Sequence, residues 1–387
     1  MTMSAAQAQA ATDAFYAAAV SRSVRMPSVQ VSSGGLYNLT MPNAGYGRFL
    51  MLTFVGTISC SSGATVTTVT ATSRSPWNII NSVNFTDYAG LQRISAVSGA
   101  TLNQRRRILT PDFSTELYYP GQGADKPTQA DYFAFSIPTQ TASTVTTAPV
   151  VFTLLVPFSA LYNSVRGSFP FTVPNGQSVV QFSILPQQTM LASGATADPD
   201  NVVAIAYTAG ATTTVSFSGT IYPTYYYYDA PAGVPTPVSE ISEVYELVTV
   251  NDTSNLLGGN TKQFILQTGR TYLRIFQHLV MQGAEELSAN LLSVAFKVDA
   301  STPVLDEWIQ SYVNRLAQHY GQMPGIGELV WDFSAHPWTP DSYGSLETDL
   351  TILGTANNGS PTYLKTTREC LYVSQQAPNL VQSGSAA

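Results

Sequence analysis

The rhythm of apolar and polar residues changes early in the chain. Residues 5–20 carry Ala and Gln with Phe15, Tyr16 and Val20, and hold no Gly or Pro. Ala and Gln are strong helix formers, so this stretch predicts a helix that ends before Pro27. After Pro27 the texture is that of strands: short runs rich in Val, Ile, Thr, Phe and Tyr, broken by Gly, Pro, Asn and Ser. Strands are predicted at 49–58, 64–72, 78–86, 132–137, 150–156, 178–184, 202–207 and 212–221, with loops at 121–126 and 139–147. Such strands, irregularly spaced with several long connections, indicate a sandwich rather than a meander.

Residues 229–238 hold Pro231, Pro235 and Pro237, which disfavour helix and central strand and stiffen the connection. The chain therefore divides into an N-terminal helical arm (1–26), a first sandwich (27–228), a Pro-rich linker (229–238) and a second sandwich (239–387). Just before the linker stand Tyr225, Tyr226, Tyr227 and Tyr228. They read as a last strand packing alternately on core and interface, or as a stacking platform for sugars or bases.

The second half predicts strands at 244–250, 263–267, 271–278, 291–298, 328–333, 346–352 and 369–373. One helix interrupts them, with Thr302 as its cap, Pro303 in its first turn and Gly321 at its end. Leu305, Trp308, Ile309, Tyr312, Val313 and Leu316 make one apolar stripe along it. Residues 157–163 predict a short counterpart helix in the first half, so the halves share an architecture without a clear sequence repeat.

Charge sharpens the picture. The 387 residues include 17 Lys and Arg against 24 Asp and Glu, a net charge of −7, and only 11% are charged. Soluble domains usually carry roughly 25%. A basic lining for packing nucleic acid is excluded, and much of so uncharged a surface is expected to be covered by other protein. Cys60 and Cys370 read as buried free thiols. The longest apolar runs are too short for a membrane-crossing helix, and no basic residue precedes Arg22, so a signal peptide's charged start is lacking. Glycosylation triplets at Asn38, Asn84, Asn251 and Asn358 read as chance in an Asn- and Thr-rich chain.

No catalytic or cofactor motif stands out. His278, His319 and His336 lack metal-ligand spacing, and there is no G-x-S-x-G elbow or Gly-rich phosphate loop. The pairs Glu285–Glu286 and Asp306–Glu307 read as acids beside helix or loop starts, and Asp198, Asp200 and Asp252 as solvated loop acids. Arg105, Arg106 and Arg107 read as a surface or subunit salt-bridge cluster, or as a phosphate contact. The expectation is a protein that is not an enzyme, with no cofactor and no metal.

These features together resemble the double jelly-roll major capsid proteins of tailless icosahedral phages with an internal membrane, the tectivirus-like lineage. Three segments carry the resemblance across the whole chain: 154–161, a strand entering a helix; 221–247, a Tyr-rich strand passing through the linker; and 305–321 with the strands at 329–333 and 346–352. The resemblance implies an all-β fold of two tandem eight-stranded jelly-roll β-sandwiches, with short helices in strand connections. It implies a homotrimer forming a pseudo-hexagonal capsomer, and a lattice of such trimers in a virion capsid assembled in the bacterial cytoplasm. Implied partners are penton or vertex proteins, minor capsid proteins and the internal viral membrane, without direct sequence-specific nucleic acid binding. Phe15, Tyr16, Val20, Arg22 and Arg25 of the arm are then the candidates for contact with membrane or neighbouring capsomers. Two rivals are a secreted or surface carbohydrate-binding β-sandwich, using Trp331, Trp338 and Tyr343, and a β-sandwich hydrolase.

Overall fold

A computed structural model describes residues 4–62, 66–71, 74–109, 136–137, 145–173, 176–187, 191–192, 203–207, 213–250, 260–265, 269–281, 284–285, 291–298, 302–320, 327–339, 345–352 and 363–373. The first half runs α1 (Ala5–Ala18), β1 (Val20–Arg25), β2 (Val29–Ser32), β3 (Leu36–Thr40), β4 (Tyr46–Ser62), β5 (Val66–Ala71), β6 (Ile80–Thr86) and β7 (Gln92–Val97). It continues through α2 (Gly99–Leu109), β8 (Ser136–Ile137), β9 (Val145–Pro157), β10 (Val179–Ile184), β11 (Leu191–Ala192), β12 (Val203–Tyr207) and β13 (Thr213–Asp229). The second half runs α3 (Val238–Ile241), β14 (Glu243–Val250), β15 (Asn260–Ile265), β16 (Arg270–Met281), β17 (Ala284–Glu285), β18 (Leu291–Val298) and β19 (Thr302–Trp308). It closes with α4 (Ile309–Tyr320), β20 (Glu328–Asp332), β21 (Ser345–Ile352) and β22 (Tyr363–Val373).

The fold is all-β, two tandem jelly rolls built on one shared sheet. That sheet has nine strands in the order β17-β16-β22-β14-β7-β6-β10-β3, with β20 also on β16. The first roll closes it with β1-β13-β4-β9, and the second with β15-β21-β18-β19. The join between rolls is a parallel pairing of β7 with β14, in which Ile94 meets Leu247 and Ser95 meets Val248. A fourth sheet, β11-β12-β5-β8, extends the first roll. Residues 230–237 run between β13 and α3 without a strand.

Register shows which way each roll faces, because side chains alternate sides along a strand. Phe85 pairs with Ile94 and packs 4.6 Å from Phe158, while Phe182 lies 6.4 Å from Phe54 of β4. That face, shared by Ile94, Leu247 and Glu369, looks toward the first roll's outer sheet. Gln277 pairs with Thr366, three positions from Glu369, so it looks the other way. It donates 3.0 Å to Thr348 of β21 in the second roll's outer sheet. The two outer sheets thus cover opposite faces of the shared sheet.

Several elements differ from the sequence reading; β9, for one, starts at Val145, inside the loop predicted at 139–147. The helix predicted from Thr302 begins at Ile309, and Thr302–Trp308 is a strand on β18. Here β19 is the outermost strand of its sheet, where Pro303 is tolerated because an edge does not need every N–H. Val304, Asp306 and Trp308 are exposed while Leu305 and Glu307 are partly covered, a strand's period of two, although Leu305 and Trp308 also fit a helical stripe. Ile309, Tyr312 and Leu316 are buried on α4, as their spacing suggested.

The short helix predicted at 157–163 is a run of turns. Ser159 Oγ donates 2.7 Å to Leu161 O, and Ala160 N–H bonds Arg166 O, so local side-chain and loop bonds replace helical ones. Conversely, residues 99–109 form α2 without an apolar stripe to announce a helix. Ser98 Oγ accepts from Thr101 N–H and caps it, and Gly99 lets it sit close to the chain, since a Cβ there would stand 2.3 Å from Trp77 O.

Candidate assembly surfaces

The arm is a helix and then a strand. Ser4 caps α1 in a reciprocal box: its Oγ accepts from Gln7 N–H at 3.3 Å and Gln7 Oε1 accepts from Ser4 N–H at 2.9 Å. The helix stops at Ala18, and β1 pairs antiparallel with β13 from Val20–Asp229 to Arg25–Thr224. This corrects the helical reading of residues up to 26. Val20 and Val24 are β-branched, and β13 offers them an edge to extend.

Of the five arm candidates, Phe15 is fully buried. Its ring meets those of Tyr16, Tyr46 and Tyr228 edge-on at 5.4, 5.2 and 6.2 Å. Tyr16 Oη accepts from Val165 N–H at 2.9 Å and donates to Glu240 Oε2 at 3.2 Å. Burial raises the pKa of both Tyr16 and Glu240 above their ordinary values. Thr12 adds a hydroxyl bond to Ser239. Phe15 and Tyr16 are thus held by their own chain here, while Val20, Arg22 and Arg25 stand exposed on β1. Arg22 pairs with Asp229 at 2.9 Å.

The tyrosine run alternates, as a strand between two layers must. Tyr225 is fully buried in the first roll's core and stacks on Tyr227 at 5.2 Å. On the other side Tyr226 stacks on Phe49 at 4.6 Å and Tyr228 receives the arm.

The arginine run is interior, contrary to the surface reading. Arg105 is fully buried on α2, and its guanidinium meets Glu369 Oε1 of β22 at 2.7 Å. It also donates 2.9 Å to Ala160 O. Glu369 is itself fully buried and takes Tyr245 Oη at 3.0 Å and Arg274 Nη1 at 3.0 Å. Arg274 reaches on to Asp332, which also accepts from Tyr320 Oη. Burial would lower the Arg105 pKa, but Glu369 outweighs it and raises it. Arg106 faces the Trp77 ring at 6.0 Å, and burial pushes its pKa down to about 10. Arg107 pairs with Glu328. The network ties α2 and the turn at 159–160 of the first roll to five elements of the second: β22, β14, β16, β20 and α4. Sequence spacing carries no signal for such a long-range pair.

At the same junction a polar cleft of about 210 Å³ is lined by Gln92, Ser95, Glu246, Val248, Arg270, Tyr272, Arg368 and Cys370. Glu246 pairs with Arg270 at 2.7 Å and accepts from Cys370 Sγ at 3.4 Å. Cys60 and Cys370 are both free and buried.

The other candidates are dispersed. His278 is buried beside Arg74, 3.1 Å from its Nη1, while His319 and His336 are exposed elsewhere. Asp306 and Glu307 lie on a strand rather than at a helix start, and Glu307 pairs with Arg315 at 3.0 Å. Glu285 is on β17, whereas Glu286, Asp198, Asp200, Asp252 and Tyr343 lie outside the described residues. Trp331 is fully buried and Trp338 packs partly buried near Tyr272 at 6.3 Å, so neither forms an open sugar platform.

No protein-family model matches the chain, and no curated protein matches it. Solved structures do match along its whole length. The major capsid protein of Sulfolobus turreted icosahedral virus (STIV) is similar at 13% identity, covering 95% of this chain and 100% of that one, with a TM-score of 0.62. The Faustovirus major capsid protein is similar at 11% identity, covering 92% and 91%, with a TM-score of 0.51. The mavirus major capsid protein is similar at 11% identity, covering 96% and 93%, with a TM-score of 0.50. The chain has the double jelly-roll fold of these proteins.

Proposed function

We propose that the chain is the major capsid protein of an icosahedral virion, assembling first as a homotrimer whose six rolls form a pseudo-hexagonal capsomer. The observation that carries this reading is the end-to-end likeness to the STIV capsid protein, a TM-score of 0.62 over all of that chain. The charge-poor composition supports it, since flanks with few charges suit burial between protein copies. The division between rolls falls at 229–238. No catalytic role is assigned.

The finer assignment is a tailless phage capsid enclosing a membrane, assembled in the bacterial cytoplasm. Vertex and minor capsid proteins are its further partners, and the chain binds no nucleic acid sequence-specifically. In this assignment the arm, through Val20, Arg22 and Arg25, meets the membrane or a neighbouring capsomer. Phe15 and Tyr16 join it only where α1 leaves its seat. A helix of 14 residues is marginal in isolation, so its order depends on what it packs against.

Negative-stain imaging of the purified chain tests the capsomer. Particles with six-lobed, hexagonal outlines are expected, and single two-lobed bodies at every concentration would refute it. Deleting residues 1–25 is expected to leave trimers but impair particle assembly; normal particles from that deletion would sink the arm's role.

A further inference from the structure

The two back faces of the shared sheet are treated differently. On the second roll's half, the face turned from β15-β21-β18-β19 is filled by the first roll. Glu369, Phe276 and Thr367 are buried on it, and Arg105 of α2 closes over Glu369. On the first roll's half, no element among the described residues covers the face turned from β1-β13-β4-β9: Leu36, Asn38 and Thr40 of β3 are exposed on it and the β10 and β6 side chains half-buried.

That open face is ordered and uncharged. Register places Leu36, Ser183 and Ser82 in one row, Asn38, Gln181 and Asn84 in the next, and Thr40, Val179 and Thr86 in a third. Leu36 is 62% exposed. The side chains are tied down sideways: Gln181 Nε2 donates to Asn38 Oδ1 at 3.0 Å, Gln92 Nε2 to Asn84 Oδ1 at 3.1 Å, and the hydroxyls of Ser82 and Ser183 meet at 2.8 Å. With both amide oxygens taken, the Nδ2 groups of Asn38 and Asn84 become the row's donors. The face runs through Gln92 and Ser95 into the cleft at the seam between rolls.

A closed ring of identical chains needs two different patches per chain. The second roll supplies one on its edge strand β19, where Val304 is 48% and Trp308 60% exposed, with exposed Asp306 between them. An apolar pair around one acceptor complements a row of amide donors flanked by Leu36 and Val179. Exposed Trp is also the residue type that most often anchors an interface, and an open edge strand needs a cover.

We propose that the open back face of the first roll receives the Val304–Asp306–Trp308 edge of a second copy of this chain. The roll-on-back-face contact made within the chain is then repeated between chains. This rests on the capsomer reading and names its seam.

Two experiments on the full chain test it. Asn38→Asp with Asn84→Asp keeps both oxygen acceptors, so the sheet's own hydrogen bonds persist, but sets two carboxylates against Asp306. Association is expected to weaken at least tenfold, with the circular dichroism of the single chain unchanged. Separately, a chain carrying Asn38→Cys and Trp308→Cys is treated with a short bis-maleimide. Chain-to-chain products up to three chain masses are expected from this variant, and none from either single variant, since Cys60 and Cys370 are buried. Stable trimers that neither weaken nor cross-link would overturn the seam and leave the capsomer reading standing. An unmodified chain that stays single at all concentrations would overturn both.

Discussion

Replacing Glu369 with Leu removes the counter-ion of two arginines at once. Glu369 Oε1 takes Arg105 at 2.7 Å and Tyr245 Oη at 3.0 Å, and Oε2 takes Arg274 at 3.0 Å. Arg274 keeps Asp332, but Arg105 is left fully buried with no counter-ion at that position, facing main-chain carbonyls and the rings of Tyr162 and Tyr245. Breaking a buried pair by removing one partner costs about 3–5 kcal/mol. Unfolding entropy near 2.1 cal/mol/K per residue gives about 0.8 kcal/mol/K for 387 residues, so Tm should fall by about 4–6 °C. Arg105→Met should cost less, about 1–3 kcal/mol, because Glu369 retains Arg274 and Tyr245. The double variant should fall short of the summed losses by about 1–3 kcal/mol, since it leaves no orphaned charge at that pair. Scanning calorimetry at one fixed protein concentration measures all three. A shift below about 1 °C for Glu369→Leu, or strict additivity in the double variant, would refute the reasoning.

Three further outcomes follow from local geometry. Phe15→Ala removes the ring that seats α1 among Tyr16, Tyr46 and Tyr228, so limited proteolysis should cut within residues 1–19 far faster while the rolls stay intact. Burial alone would raise the pKa of Asp332, but Arg274 and bonds from Ser334 and Tyr320 outweigh it and hold it below its ordinary 3.8. A depressed carboxylate stabilises above its unfolded pKa, so the native chain should outlast Asp332→Asn at pH 7 in urea, and the gap should close as pH falls below 3.8. Cys370 is buried, and burial with nearby Glu246 raises its thiol pKa, so neither it nor Cys60 should react with a thiol reagent until the chain is unfolded.

What was legible in the chain was what repeats locally. The apolar, β-branched and aromatic runs gave the long strands β4, β9, β13 and β16, and the proline cluster falls in the strand-free stretch between β13 and α3. Short strands such as β1 and β3 were not legible, because four to six residues of mixed polarity acquire their identity from a partner edge. The boundary of α4 failed for a related reason. Leu305 and Trp308 fit a helical stripe as well as a strand's alternation, and only the edge of β18 decides between them. Helix α2 failed more deeply. It is buried all round from Gly99 to Arg106, and half of that set is Asn103, Gln104, Arg105 and Arg106, polar residues that hydrophobic periodicity reads as surface. Its burial depends on Glu369, 264 residues away. The arm residues Phe15 and Tyr16 read as contacts to membrane or neighbouring capsomers; within the single chain they pack on Tyr46, Tyr228, Val165 and Glu240.

The most direct test is the solution mass of the purified chain by light scattering after size exclusion. The capsomer account predicts a stable species of three 41.5 kDa chains, about 125 kDa, that resists mild denaturant. A clean single chain of 41.5 kDa at micromolar concentration would contradict it.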